Sequence, residues 1–142
     1  MSNQPDIRQS FANVPVHRFL GLRMISPSSE QATVEMDLSP DLCQETGVVH
    51  GGILSALADA TAANLFQPYV PDHLLTTSIE FKMNFLRPVL AEQGKLVAKA
   101  SVLRHGWKRS PAFRLRQWLD ASHCFKESVV GLYRSKGERC PR

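Results

Sequence analysis

One aspartate stands alone in the apolar run "GVVHGGILSALADA", Gly47 to Ala60. A carboxylate in such surroundings is costly unless it is paired or hydrogen-bonded, so Asp59 needs either a structural partner or a reactive task. As a structural group it would accept hydrogen bonds from Ser55 or Thr61, or lie on a narrow exposed stripe of helix. Upstream, His50-Gly51-Gly52 stands where a helix begins. The amides of two glycines are then among the first orphan donors of that helix, with no side chain to block an approaching ligand. Such a pair is suited to holding a carbonyl oxygen or an oxyanion, with His50 beside it to orient the loop or the ligand. Gly-Gly is also a common loop dipeptide, so the amides alone do not define a site.

Nine residues of helix separate His50 from Asp59 by ~13 Å at ~1.5 Å per residue. The two cannot meet on one substrate atom within one chain. If both serve one reaction, they come from different subunits related by a two-fold axis, and the protein is a homodimer.

Hydrophobic periodicity along the chain shows the helices and strands that carry these residues. From about Ile7 to Leu20, Ile7, Phe11, Val14 and Phe19 recur at loosely helical spacing, with Pro15 interrupting. "LGLRMISPSSEQATVEMDLSP" reads as two strands joined at "SPSSE" and ended by Pro40. A long helix is expected over residues 51–69, with Leu54, Leu57, Thr61 and Leu65 on one stripe. "LLTTSIEFKMNFLRPV" then alternates strictly, with Ile79, Phe81, Met83 and Phe85 on one face and Ser78, Glu80, Lys82 and Asn84 on the other. "GKLVAKASVLRHG", "AFRLRQWLD" and "SVVGLYRS" supply three more strands. Helix, hairpin, long helix and four consecutive strands describe an α+β fold, with the helix packed on an antiparallel sheet. Its many Ala and Gly residues suit a helix that lies close to a curved sheet.

Length and composition set the bounds. A chain of 142 residues suits one domain with one core, expected to occupy 1–142 with a helical segment over 1–20. At 43% hydrophobic and 21% charged residues it is an ordinary globular chain. No apolar run reaches the ~20 residues that span a bilayer, and the N-terminus has no signal-type apolar stretch, so a cytoplasmic protein is expected. Cys43, Cys124 and Cys140 include no C-x-x-C pair, which points to reduced thiols. The five histidines offer no local ligand pair, so neither a metal nor a cofactor is expected. Residues 1–98 hold six Lys+Arg against ten Asp+Glu, whereas residues 99–142 hold eleven against three. The basic C-terminal third suits a solvated face, a membrane surface or a phosphorylated ligand. Aromatic residues are not interleaved with it as a stacking platform requires, so no nucleic-acid partner is expected.

"GVVHGGILSALADA" resembles the signature of the hotdog-fold thioesterases of the PaaI-like, acyl-CoA thioesterase group: a Gly, two residues, His-Gly-Gly, then an Asp nine residues after the His. "TTSIEFKMNFLRPV", ending in Arg-Pro, is similar to the strand that follows the helix in that group. Together these cover roughly residues 40–105. The resemblance implies an antiparallel sheet wrapped around a long central helix, with a short N-terminal helix, assembled into homodimers and often tetramers. It implies hydrolysis of an acyl-CoA, with Asp59 as general base toward water or as nucleophile. Gly51 would polarise the thioester carbonyl from the opposite subunit, with Gly52 beside it and His50 supporting the loop. Ser78 falls where some members place a serine that helps hold the water. Gln44 stands six residues before the histidine, where many members have Asn.

Coenzyme A gives the basic third a role, with Arg104, Lys108 and Arg109 around "HGW" as candidate phosphate contacts and Arg87 as a further one. Past Gly106 the resemblance fades. Two other readings use the same pocket: an acyl-CoA binding or sensing protein without catalysis, and a hotdog-type dehydratase or hydratase. An acidic acyl-carrier protein would also suit the basic face.

Overall fold

The computed structural model describes residues 7–28, 30–67, 74–104, 112–119, 122–123 and 130–136. Helices α1 (Ile7–Asn13) and α2 (Pro15–Phe19) lead into strands β1 (Arg23–Pro27) and β2 (Gln31–Asp37). Helix α3 (Gly51–Phe66) follows, then β3 (Leu74–Phe81), β4 (Lys95–Arg104), β5 (Ala112–Leu119), β6 (Ser122–His123) and β7 (Val130–Lys136). The strands form two antiparallel ladders, one in the order β1-β2-β4-β5-β6 and one pairing β3 with β7. Helix α3 packs against strands of both, and β5 approaches β7. This is the expected α+β arrangement, a hotdog fold with the helix as its filling.

The alternation in β2 and β4 explains the packing. Ala32, Val34 and Met36 are buried while Gln31 and Asp37 are exposed, because successive strand residues point to opposite faces. In register, Val34 sits opposite Ala98 and Met36 opposite Leu96, so one face of the pair is apolar. Leu57, Val34, Met36 and Leu96 are fully buried there. Toward the end of the helix, Ala58 and Ala62 pack with Ala32 and Ala100. These four alanines, gathered in one buried cluster, let the helix lie close on the sheet. On the outer face, Arg23 of β1 pairs with Glu35 and Asp37 of β2, and Lys95 of β4 also reaches Glu35.

Three boundaries depart from expectation. Helix α3 ends at Phe66 with Gln67 as its C-cap, while Tyr69, where the expected helix ended, lies outside the described residues. The strand expected to run through Phe85 ends as β3 at Phe81, where its ladder with β7 closes on the pair Phe81–Val130. Without that partner the chain turns onto α3, and Met83 packs into the core. The two-residue β6, too short to show a periodicity, was not foreseen.

Candidate active site

The loop before α3 is fixed by backbone hydrogen bonds. Gly47 adopts a left-handed φ of 77°, which glycine takes without steric cost, and its N–H donates to Gln44 O at 2.9 Å. The Val49 N–H donates to Val89 O at 2.8 Å, and the His50 N–H donates to Leu42 O at 2.8 Å. The start of the helix is therefore tied to both the 3-10 turn Pro40–Leu42 and the segment after β3.

His50 is the N-cap of α3. Its Nδ1 accepts from the Gly52 N–H at 2.9 Å, so the imidazole satisfies one orphan amide as a Ser or Asn cap would. A Cβ on Gly52 would stand 3.0 Å from that Nδ1, so glycine here makes room for the cap. Of the two amides expected to be available, Gly52 is thus already engaged. The Gly51 N–H takes no partner among the described residues, and the positive end of the helix dipole lies behind it. A Cβ on Gly51 would meet Phe85 Cζ at 3.3 Å, so the Phe85 ring lies over this residue.

The cap carries a testable consequence. His50→Ala removes the acceptor for Gly52 and should cost about 1 kcal/mol of stability, within the range for N-cap losses. His50→Asn restores an acceptor at the same position and should recover most of that loss. Thermal melts of the three proteins check this, and equal loss in both variants would deny the cap.

Gln44, Gly51, Phe85 and Arg87 line a cleft of about 370 Å³ together with Val48 and Leu86. Gln44 Nε2 donates to Thr46 Oγ1 at 3.3 Å. A second cleft, of about 400 Å³, opens along the next turns of α3 and is lined by Ala56, Asp59, Ala60, Ala63 and Asn64. These positions recur at helical spacing and form one face. The opposing wall comes from α2 and its flanks, with Val14, Val16, His17, Leu20 and Leu22.

Asp59 is half-buried, and its partner is neither of the two residues expected. Ser55 Oγ donates to Gly51 O at 2.8 Å and lies 3.0 Å from Met83 Sδ, while Thr61 Oγ1 donates to Leu57 O at 2.7 Å. Both hydroxyls are consumed on their own helix. The Ser78 hydroxyl of β3 instead donates to Asp59 Oδ1, leaving Oδ2 for the cleft. Strand and helix thus meet at the serine and the aspartate that the sequence singled out.

Asp59 with Ser78 forms one group, and Gly51 with Gln44 and Arg87 another; the protomer does not bring the two together. Arg104 closes β4, opposite Ala112 of β5, while Lys108 and Arg109 lie outside the described residues. Sequence reasoning missed His17 on the Asp59 cleft. Its Nδ1 lies 2.9 Å from Phe11 O, and its ring packs on Phe11 with centroids 4.1 Å apart. Burial pushes the His17 imidazole below its ordinary value, against the Phe11 bond and the Asp59 charge, which favour the protonated form. The available signal was a histidine set among Val14, Val16 and Phe19.

The Thioesterase superfamily model matches residues 46–110, which include Gly51, Asp59 and Ser78. A Saccharolobus solfataricus protein bearing a provisional esterase name is 31% identical over 91 residues, 64% of this chain. This chain covers 63% of that relative's length. The crystal structure of a thioesterase family protein from Silicibacter pomeroyi matches with a TM-score of 0.78 at 25% identity, over 92% of this chain and 96% of that one. The PaaI protein of the Escherichia coli phenylacetic acid degradation operon has the same fold, with a TM-score of 0.78 at 24% identity, over 91% of this chain and 90% of that one. Among the described residues no helix is long and apolar enough to cross a membrane.

Proposed function

We propose, on the premise that this chain is a PaaI-like hotdog protein of the thioesterase superfamily, that it hydrolyses an acyl-CoA thioester to the free acid and coenzyme A. One observation carries the reading. The Asp59 carboxylate and the open Gly51 amide stand on one helix eight residues apart, ~12 Å along its axis, and open into different clefts. Each is half of a centre for acyl transfer, and a two-fold axis completes both halves.

In the completed site, the Gly51 N–H of one subunit donates to the thioester carbonyl. Asp59 Oδ2 of the other takes a proton from water as the water oxygen bonds to the carbonyl carbon. The oxyanion that forms is held by that amide and the helix dipole behind it. Its collapse breaks the C–S bond, and the thiolate leaves as the thiol after taking up a proton. Ser78 holds Oδ1 and so fixes the plane of the carboxylate. Gln44, close to Gly51, reaches the water or the carbonyl with its amide. Arg87, on the same cleft, suits a phosphate of coenzyme A, and Arg104, Lys108 and Arg109 are proposed as further phosphate contacts from the basic C-terminal third.

Both clefts are rimmed by exposed apolar side chains, Phe85 and Leu86 at one and Val14 and Val16 at the other. Such surface is suited to burial in a contact between subunits, which supports a homodimer or a tetramer built from two dimers. The reading includes a single domain over 1–142 and a cytoplasmic location. Thiol release from butyryl-, octanoyl-, palmitoyl- and phenylacetyl-CoA tests it. Turnover on at least one is expected; release from none would overturn it.

A further inference from the structure

His17 is a buried titratable group that the proposed chemistry leaves unused. It is 8% exposed and lies on the wall opposite Asp59. A carbonyl oxygen only accepts, so the 2.9 Å contact with Phe11 O places the ring proton on Nδ1. Burial favours the neutral ring, and a neutral imidazole protonated at Nδ1 has a lone pair on Nε2. Nε2 takes no partner among the described residues, so it is the one polar atom that His17 has left to offer the cleft. The walls around it are apolar apart from Asp59, Asn64 and Gln67. Asn64 Nδ2 donates one of its two N–H groups to Ala60 O at 2.7 Å. The Asp59 carboxylate cannot donate to Nε2, because an ionised carboxyl only accepts. The ring is fixed by the Phe11 contact, so the acceptor is held in place before any ligand arrives.

We infer that the Asp59 cleft receives the acyl group and that His17 Nε2 is a specificity-determining acceptor in it, selecting acyl groups that carry an O–H or N–H donor over their unsubstituted counterparts. The inference rests on the proposed thioesterase reading for the identity of the ligand. A site that offers a buried acceptor discriminates against a ligand without a donor, because the acceptor is then left unpaired or holding a water.

The experiment uses three matched pairs: butyryl- and 3-hydroxybutyryl-CoA, hexanoyl- and 6-hydroxyhexanoyl-CoA, and hexanoyl- and 6-aminohexanoyl-CoA. The kcat/KM of each is measured on the full chain, and Kd is measured for the corresponding non-hydrolysable thioether analogues. The wild-type protein is expected to favour the donor-bearing member of at least one pair by about 10-fold or more. His17→Asn keeps a donor for Phe11 O but has no atom at the Nε2 position. It should bring that preference to about one. His17→Gln, whose amide reaches the Nε2 position, should restore part of the preference. Equal use of both members in every pair, or a preference that survives in His17→Asn, overturns the inference. Absence of turnover with the Kd preference intact would sink the hydrolase reading and leave the acceptor standing.

Discussion

Asp59→Asn is expected to lower kcat on the best acyl-CoA by about 10²–10⁴-fold, the contribution of a positioned general base, while the protein keeps its fold and its melting temperature within a few degrees. The substitution is isosteric, and the Ser78 hydroxyl that donates to Oδ1 can donate to the amide oxygen of Asn in the same way. What disappears is the second carboxylate oxygen, the atom that would take the proton of water. KM should change little if, as proposed, the carboxylate acts on water rather than on the bound thioester. A folded variant within about 3-fold of wild type would return Asp59 to a structural role as the partner that joins α3 to β3.

Gly51→Pro is expected to lower kcat by about 10²–10³-fold, the loss found when one oxyanion donor is removed. Proline deletes the N–H and little else at this position. Gly51 is the first residue of α3, where proline is favoured because that N–H has no intrahelical acceptor. His50 precedes it at φ −62°, ψ 134°, a conformation that a residue before proline adopts readily. The remaining cost is the new Cβ beneath the Phe85 ring, at 3.3 Å from Cζ. Gly51→Ala adds that same Cβ and retains the N–H, so it measures the steric share alone. Alanine near wild type beside a proline variant that is folded and impaired would assign the loss to the donor; equal impairment in both would assign it to crowding by Phe85.

The fold was legible where burial is one-sided. The alternation in "QATVEMD" and the small residues of α3 specify a half-buried strand and a helix lying close on it, and β2, β4 and α3 form accordingly. Legibility ended where tertiary partners decide. The alternating pattern through Phe85 gave no sign that β3 leaves its ladder at Phe81, because periodicity reports which face is apolar and not whether a neighbouring strand is present.

The site divides in the same way. Asp59 and the His-Gly-Gly turn stand out from local spacing, since a lone charge in an apolar helix and two adjacent glycines at a helix start are local facts. The Ser78 hydroxyl donating to Asp59 joins residues on different elements, and only the resemblance pointed to that serine. Ser55 and Thr61, nearer in sequence, donate to carbonyls of their own helix, as hydroxyls within helices commonly do. His17 was not legible because its place on the Asp59 cleft depends on α2 facing α3 in the folded chain. The division of work between Gly51 and Gly52 was equally hidden, since it follows from the rotamer of His50.

In the proposed site, Asp59 and the Gly51 amide act on one thioester from opposite subunits. Asp59→Asn and Gly51→Pro subunits, each inactive alone, are mixed by co-refolding, the formation of mixed dimers is verified by native mass spectrometry, and thiol release is measured. Random pairing makes about half of the dimers mixed, and each mixed dimer holds one intact site of two, so about a quarter of wild-type activity is expected. Mixed dimers no more active than either parent would contradict a site shared between subunits.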